Sequence, residues 1–399
     1  NMISISNLVF RMKKNAVGLA TIAILSSMVL VTLVGAASIY AGKKDYLASA
    51  TPHDYSVAGN KVDLTSTKKL MDDFLIKTGE QANEEVAVSY LLFGIKNQET
   101  NKLTVFTKNE RKVVPKSIVL VFSQETFKQL TGKELNLSSN QIALYTKNKT
   151  LKTQKSLSID GKNYQIHRQL GDFINKKIPN IYKIIVSDYS YLVVPDIKIF
   201  ESSMKGTSIT QATYVGVNVK NPTHDAKKNS DLLDQMTDKE TQQLAGQTTG
   251  VSQSYLTANS QYDTEGMLNG FVGGTLFIGI FLSIIFMLGT VLVIYYKQIS
   301  EGYEDRERFV ILQKIGLDDL QVKQTIRKQV LTVFFLPLIF AFIHLAFAYH
   351  MLSLIVRIIG VFNPSLMLVV TIIVCGVFFL AYVLVFALTS RSYRRIVSM

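Results

Sequence analysis

Four long apolar segments constrain the fold of this chain more than any other feature of its sequence. They are Ala16–Ala41, Phe271–Tyr295, Leu331–Leu354 and Leu366–Leu388, and each holds 20 or more residues with few or no charges. That length of helix is enough to cross the roughly 30 Å of hydrocarbon in a bilayer. The sequence therefore predicts a membrane protein with four transmembrane α-helices and a large domain between the first helix and the second.

Basic residues flank these segments unevenly, and their distribution predicts an orientation. Three Lys or Arg lie in residues 11–14, seven in 296–329 and three in 391–395, whereas 355–365 holds only one. Because short cytoplasmic flanks carry the excess of Lys and Arg, we predict that both termini are cytoplasmic. Residues 42–270 are then extracellular. The first apolar run exceeds the 7–15 residues of a signal-peptide core, so we expect it to be a retained span.

The charged segment Tyr296–Gln329 separates the second apolar segment from the third. Phe309, Ile311, Leu312 and Ile315 form an apolar stripe at helical spacing. Gly316 can end this helix, and the aspartates that follow can begin a short second helix lying across the first. Such a shape suits docking to a cytosolic partner, and a solvated loop is the alternative interpretation.

The remaining boundaries follow from these segments. Residues 1–41 are predicted to hold an amphipathic helix at the inner interface followed by the first span, although the amphipathic part could equally be an extension of that span. Residues 42–270 form the extracellular domain, 271–296 the second span, 297–329 the cytoplasmic loop, and 330–399 the last two spans with a basic tail.

The block 42–270 has the pattern of an α+β domain. Helices are predicted at Lys68–Gln81 and Asp231–Ala245, and at a short segment that Ser123 caps and Gly132 ends. Asp160-Gly161 predicts a hairpin turn. Gln247–Ser260 is rich in Thr, Ser and Gln and predicts a mobile connection. Strands are predicted at Val86–Ile95, Lys102–Thr107, Ser117–Phe122, Gln141–Thr146, Ser156–Ile159, Asn163–His167, Ile181–Ser187, Tyr191–Val194 and Ala212–Val219.

No catalytic or metal-binding motif is recognisable, so we predict no catalytic residue and no metal site in this chain. The five histidines are scattered. Those in the third span, His344 and His350, are candidates for a function within the membrane, and the alternative is a helix–helix hydrogen bond or, for His350, an interfacial position. The single cysteine, Cys375, lies in the last apolar segment and excludes a disulfide within the chain.

Residues 96–183 are strongly basic, with 17 Lys or Arg against 6 Asp or Glu. A basic field outside a membrane suits an anionic ligand or lipid headgroups, and a solvated basic surface is the alternative. Nucleic acid is not an expected partner for a domain outside the cell. The candidate ligand-binding residues are Lys108, Arg111, Lys112, Lys116, Lys147, Lys149, Lys152 and Lys155.

The order of these elements, with ERFVILQKIGLDDLQVKQTI after the second span, resembles the FtsX-like permeases of ABC transporters. The longer stretch TLFIGIFLSIIFMLGTVLVIYYKQISEGYEDRERFVILQKIG is similar to the C-terminal portion of Bce-type permeases, which act in bacitracin and lantibiotic resistance in Gram-positive bacteria. Such permeases have ten spans with the large domain between the seventh and the eighth. The four spans of this chain, which begins at Asn1, would correspond to the last four.

The resemblance implies a permease subunit that is not an enzyme and binds no cofactor of its own. ATP and Mg would bind to a partner, a dimeric cytosolic ABC ATPase, and such systems often include a sensor histidine kinase. The extracellular domain would recognise a peptide antibiotic or its complex with an undecaprenyl-pyrophosphate lipid. The residues expected to couple the chain to the ATPase are Arg308, Leu312, Ile315, Gly316, Leu317, Asp318, Leu320 and Val322.

Two other functions remain open from the sequence. One is a different FtsX-like system, for lipoprotein release, mechanotransmission or control of a cell-wall hydrolase. The other is a membrane receptor whose outer domain binds a ligand without transport. A partner ATPase would favour either transporter function over the receptor.

Overall fold

The computed structural model describes residues 16–110, 115, 117–180, 186, 188–221, 225–247, 254–314, 319–361 and 363–397. Within these ranges, the side chains of 109, 246–247, 301, 304–314, 319–330, 332–333 and 390–397 are not described. The chain divides into two compact units. We call Asn1–Lys43 with Gly270–Met399 the membrane unit, and Lys44–Asn269 the inserted domain.

The described residues form ten α-helices and ten β-strands. The helices are α1 (Ala16–Ala41), α2 (Lys43–Ala50), α3 (Leu64–Thr78), α4 (Gln124–Thr131), α5 (Lys149–Lys152), α6 (Ile197–Ser203), α7 (Ala226–Gln247), α8 (Gln261–Lys314), α9 (Asp319–Ile358) and α10 (Pro364–Val397). The strands are β1 (Tyr55–Asn60), β2 (Ala82–Glu99), β3 (Lys102–Val105), β4 (Ser117–Ser123), β5 (Gln141–Thr146), β6 (Ser156–Ile159), β7 (Lys162–Gln169), β8 (Asp188–Val194), β9 (Ile209–Val219) and β10 (Tyr255–Ser260).

The four predicted transmembrane helices are confirmed. Among the described residues, four helical segments are long and apolar enough to cross a membrane: Ala16–Ala41, Gln261–Ser300, Phe334–Ile358 and Pro364–Thr389. The domain between the first and the second is rich in β-strands, with helices on its surface, as the α+β prediction required.

Helix α1 packs against the other three helices of the membrane unit. Its side chains Leu30 and Val34 are fully buried in a cluster that also takes in Ile294 of α8, Ala341 of α9 and Tyr382 of α10. Close approach to α8 depends on a glycine there. A Cβ placed on Gly279 would lie 2.4 Å from the Ala36 Cβ, which is far inside van der Waals contact.

Seven strands of the inserted domain close into a barrel. The sheet runs in the order β10-β1-β9-β2-β3-β6-β7-β5-β8-β4, and β4 pairs again with β2. Strand β2 is 18 residues long, so its second half can pair with β3 and β4 while its first half pairs with β9. The barrel thus consists of β2, β3, β6, β7, β5, β8 and β4, and β9, β1 and β10 extend the sheet beyond it.

Side chains fill the barrel. Alternate residues point inward from each strand, for example Leu91 and Phe93 on β2 and Leu192 on β8, and all are buried. The short helices α5 and α6 add Leu151 and Phe200 to the same core. Because the interior is packed, ligand contacts must form on the outer face or at the ends of the barrel.

The sheet extension has its own core under helices α3 and α7. Met71 and Phe74 of α3 and Leu233 of α7 pack on strands β1 and β9, where Val57 and Val215 are fully buried. Asp63 caps α3 by accepting a hydrogen bond from the Ser66 amide, and Gly79 ends the helix with a left-handed backbone. The helix predicted at Lys68–Gln81 therefore starts earlier, at Leu64, and ends at Thr78.

Several local predictions are confirmed. Ser123 caps α4 through the Thr126 amide, and Gly132 ends it with φ of 71°. Asp160 and Gly161 form the β6–β7 turn with positive φ at both positions, which is the geometry that favours glycine and short polar residues. The predicted strand Ile181–Ser187 falls almost entirely outside the described residues, and β8 begins at Asp188.

The prediction of a mobile connection over Gln247–Ser260 is wrong for its last six residues. Tyr255–Ser260 is strand β10, which pairs with β1, a strand that the sequence did not indicate. The reason is compositional, since YLTANS and YSVAGN are short, mix small and polar residues with apolar ones, and lack the run of β-branched residues that marks a strand. Their pairing comes from the domain's tertiary structure, not from local propensity.

Candidate functional sites

The segment predicted to couple to an ATPase lies between the ends of two long helices. Arg308 and Leu312 belong to α8, and Leu320 and Val322 belong to α9. Ile315, Gly316, Leu317 and Asp318 lie outside the described residues.

The predicted short, separate second helix is wrong. A helix does begin at Asp319, but it continues without interruption to Ile358 and includes the predicted third span. No Gly or Pro occurs between Asp319 and Leu336, so nothing in the backbone ends the helix before Pro337. The change from charged to apolar residues marks a change of environment and not the end of the helix.

Hydrogen bonds join α1 to its neighbours within the membrane unit. The Ser27 hydroxyl lies 2.7 Å from the Ala23 carbonyl oxygen and 3.1 Å from Nδ1 of His344 on α9. A serine hydroxyl has one proton, so when it donates to Ala23 the histidine nitrogen must be the donor of the second bond. The helix–helix hydrogen bond predicted for His344 is therefore present. Thr32 and Ser283 make a similar bond of 3.1 Å between α1 and α8.

The two basic segments predicted to bind a ligand adjoin strand ends that lie at the same end of the barrel. Strand β8 lies between β4 and β5, with Ser117 opposite Asp188 and Thr146 opposite Ser190. The chain therefore enters β4 and leaves β5 at the same end, two strands apart. Sequence alone gave no reason to expect this, because it does not specify which strands are neighbours.

In the segment Lys147–Lys155, Asn148 fixes the local structure. Its Oδ1 accepts hydrogen bonds from the amides of Thr150 and Leu151 and so caps α5. Its Nδ2 donates to the Asp188 carboxylate at 2.9 Å, which ties the segment to the start of β8. The Lys147 ammonium lies 5.1 Å from the Tyr189 ring centroid, within cation–π distance. Lys149, Lys152 and Lys155 are exposed.

In the segment Lys108–Lys116, only Lys108 has a described side chain among the candidates. It begins a 3₁₀ turn that Glu110 organises by accepting hydrogen bonds from the amide and the hydroxyl of Thr107. The Lys96 ammonium and these bonds lower the pKa of the Glu110 carboxyl to about 2. Arg111, Lys112 and Lys116 lie outside the described residues.

A buried histidine is the polar residue that sequence reasoning most clearly missed. The His53 side chain is 2% exposed, and its Nδ1 lies 2.8 Å from the Tyr214 hydroxyl. Burial lowers the pKa of this imidazole, and the nearby carboxylates Glu84 and Asp54 only partly oppose the effect. No sequence signal distinguishes His53 from an exposed histidine, because its neighbours are small and polar.

No cluster in the described part of the chain has the composition of a metal centre: no three His, Cys, Asp or Glu residues lie close enough together to hold an ion.

Comparisons with known proteins identify relatives of the chain, although no known family profile matches it. The ABC transporter permease protein YxdM of Bacillus subtilis strain 168 is 24% identical over 357 residues, which cover 88% of this chain and 52% of YxdM. The bacitracin export permease protein BceB of the same organism is 27% identical over 140 residues, 35% of this chain and 19% of BceB. The uncharacterized ABC transporter permease YvcS is 30% identical over 122 residues, 31% of this chain and 18% of YvcS.

The chain is thus similar to ABC transporter permeases, among them the Bce-type bacitracin permease BceB, at modest identity. It spans about half the length of YxdM, the relative it matches over the longest stretch. Together with the four apolar helices, this similarity indicates a membrane protein.

Proposed function

We propose that this chain is part of an ABC-transporter permease that protects a bacterium against peptide antibiotics directed at undecaprenyl-pyrophosphate cell-wall intermediates. The observation that carries the permease assignment is the similarity to an ABC transporter permease over 88% of the chain, together with the four candidate spans. The antibiotic class is supported by the partial similarity to a bacitracin export permease.

The proposed orientation has both termini in the cytosol and residues 42–270 outside the cell membrane, and the basic flanks support it. Single cysteines test it in a Cys375→Ser background, which removes the native thiol. Lys147→Cys and Asp231→Cys should react with a membrane-impermeant maleimide on intact cells, and Asp318→Cys should react only after lysis. Labelling of Asp318→Cys from outside would reverse the orientation.

Energy for the cycle comes, in this proposal, from a dimeric cytosolic ABC ATPase that binds ATP and Mg. The coupling contact is residues 308–322, where α8 ends and α9 begins. A sensor histidine kinase is a further proposed partner, supported only by the resemblance to Bce-type systems. This chain would contribute no nucleotide-binding residue and would act as the permease.

Apolar residues at the helix junction provide the test of ATPase coupling. Leu317→Asp or Leu320→Asp places a charge where the ATPase contact is expected, and losing a buried apolar anchor costs about 2 kcal/mol, or roughly thirtyfold in affinity. Co-purification of the ATPase should fall while the inserted domain stays folded. Gln321→Asp adds the same charge at a polar position and serves as the matched control.

Unchanged co-purification and unchanged resistance in both leucine variants would refute the coupling site. A wild-type chain that binds the antibiotic complex but recruits no ATPase would instead be a receptor, and the transport proposal would fail.

Extracellular recognition is assigned to the end of the barrel where β4 begins and β5 ends, because these strand ends adjoin the two basic segments in the chain. Lysine and arginine make charge-assisted hydrogen bonds to phosphate, and arginine can make two at once. Arg111→Glu with Lys112→Glu, or Lys149→Glu with Lys152→Glu, should weaken binding of the lipid–antibiotic complex and reduce its dependence on salt. Equal affinity in both double variants would leave the basic segments as solvated surface.

A further inference from the structure

A separate cleft lies on the outer face of the barrel, between α4 and the segment that follows β7. Its volume is about 380 Å³, within the usual range for small-ligand sites. Phe127 of α4, Leu170 and Phe173 line it, and the rings of Phe127 and Phe173 meet edge to face with centroids 5.0 Å apart. The cleft therefore has an apolar wall held by aromatic packing.

Two cations stand at the rim of this cleft. Lys133 and Arg168 line it and are exposed, and within the described part of the chain neither side chain takes part in an ion pair. By contrast, Lys128 on the neighbouring helix α4 is paired with Glu134 at 2.6 Å. Among basic residues of this surface, Lys133 and Arg168 thus keep their hydrogen-bond donors available beside an apolar cavity.

One carboxylate, Asp172, also lines the cleft. Its charge acts on the buried tyrosines beneath it: burial raises the phenol pKa of Tyr145 and Tyr191, and Asp172 is the next contributor to each. Two cations against one carboxylate give the cleft a net positive charge. A neutral apolar ligand would leave both cations without an anion, and a simple inorganic anion would leave the apolar wall uncovered.

We infer that this cleft binds an anionic amphiphile, with a phosphate or carboxylate head at Lys133 and Arg168 and an apolar chain against Phe127 and Phe173. The identity of the natural ligand of this cleft rests on the proposed function. The cleft would add to that function a binding site for the lipid part of the target. The binding chemistry depends only on the residues of the cleft.

Tryptophan fluorescence can test this site selectively, because the chain contains no tryptophan. Gln169→Trp places one indole at an exposed position in the cleft lining. The full chain, in nanodiscs formed with a tryptophan-free scaffold protein, would be titrated with farnesyl pyrophosphate, laurate, farnesol and inorganic pyrophosphate. We expect a saturable fluorescence change with farnesyl pyrophosphate or laurate. Farnesol and inorganic pyrophosphate should bind at least about tenfold more weakly, because farnesol lacks the anionic head and pyrophosphate lacks the apolar chain.

The first two ligands separate a phosphate-specific site from a carboxylate site. Saturation by farnesyl pyrophosphate alone would assign the cleft to phosphorylated lipids, and saturation by laurate alone to carboxylates. Equal responses to farnesol and farnesyl pyrophosphate would overturn the inference, since the cations would then contribute nothing.

Charge reversal provides the second arm. Lys133→Glu with Arg168→Glu should raise the dissociation constant at least about tenfold for the anionic amphiphile. Lys162→Glu with Lys205→Glu makes the same change in net charge at exposed positions outside the cleft lining. This control should change the dissociation constant by less than about twofold. Partitioning into the nanodisc is common to both variants. Equal dissociation constants in the two double variants would overturn the inference.

Resistance measured in the same variants separates this site from the proposed function. Wild-type resistance together with unchanged amphiphile binding in the cleft variant would refute the cleft and leave the proposed function intact. Absence of resistance in cells that express the wild-type chain with its ATPase would refute the proposed function. The fluorescence titration would still show whether the cleft binds an anionic amphiphile.

Discussion

Acid should destabilise the inserted domain through His53. This imidazole is 2% exposed and hydrogen-bonded to Tyr214, and burial holds its pKa below the ordinary value of 6.5. As the pH falls below 6.5, the unfolded chain binds a proton that the folded domain does not. The free energy of unfolding therefore falls with pH until the pH reaches the lowered pKa of the folded state.

The size of the effect is bounded by the proton linkage. One proton taken up only on unfolding changes stability by about 1.4 kcal/mol per pH unit. Between pH 6.5 and 5.5 the unfolded imidazole goes from half to about nine-tenths protonated, so His53 contributes a loss of at most about 1 kcal/mol. For a domain of this size each kcal/mol corresponds to about 2–4 °C, so His53 should lower the melting temperature by at most about 2–4 °C over that unit.

Thermal unfolding in nanodiscs measures this loss, with Tyr255→Trp on β10 as the single fluorescent reporter of the inserted domain. His53→Gln keeps a hydrogen-bonding side chain but cannot titrate, so its melting temperature should fall less than that of the parent between pH 6.5 and 5.5. His167→Gln, at an exposed position, is the matched control and should follow the parent. Identical slopes in the parent and His53→Gln would refute the reasoning, because groups other than His53 would then account for the whole pH dependence.

Three further predictions concern packing and hydrogen bonds. Gly279→Ala should lower the melting temperature of the membrane unit in nanodiscs, since the new Cβ would press on α1 at a cost of about 1–3 kcal/mol, whereas Gly274→Ala meets no atom within 4 Å and should not. Asn148→Ala should destabilise the inserted domain by about 1 kcal/mol or more, because it removes the α5 cap and the bond to Asp188. Ser27→Ala should weaken α1–α9 association by about 0.6 kcal/mol by removing the partner of His344.

Matched controls exist for the last two changes. Asn163→Ala replaces an exposed asparagine on β7, and Thr21→Ala removes a hydroxyl that bonds only its own helix. A stability loss as large in Asn163→Ala as in Asn148→Ala would contradict the capping argument. Equal losses in Thr21→Ala and Ser27→Ala would contradict a specific bond to His344.

The membrane helices could be predicted from sequence because one physical quantity determines them. Continuous apolar length decides whether a helix can cross a bilayer, and all four segments were found in this way. The ends of the helices could not be predicted from sequence, because the composition changes at the membrane interface while the backbone hydrogen bonds of the helix continue. Helix α9 shows this directly, since it runs through the charged residues from Asp319 to the apolar span without a break.

The barrel was beyond sequence reasoning for a different reason. Most of its strands were recognised individually, but closure depends on β2 pairing with β3, β4 and β9 at once. Such pairing is set by contacts between residues far apart in the chain, and no local pattern records it. The same holds for β1 and β10, whose short sequences carry no clear strand pattern and acquire strand structure from their neighbours.

Candidate ligand residues illustrate the difference between a charge count and a site. The excess of basic residues over 96–183 is real, but many of these cations already have partners in the structure. Lys96 and Lys128 are paired with glutamates, the Lys177 ammonium donates to the Leu130 carbonyl, and Lys147 lies over Tyr189. These cations have less to offer a ligand than their number suggests.

A ligand gains most where a cation keeps its donors and an apolar surface lies beside it, since the two contributions then act on one molecule. Lys133 and Arg168 meet both conditions through residues that are distant in sequence, with Phe127 preceding one and Phe173 following the other. Neither stood out by sequence, because each is a single charge among many. The cleft that joins them exists only because β7 and α4 come together on the outer face of the barrel, so the fold selects which of the basic residues can bind.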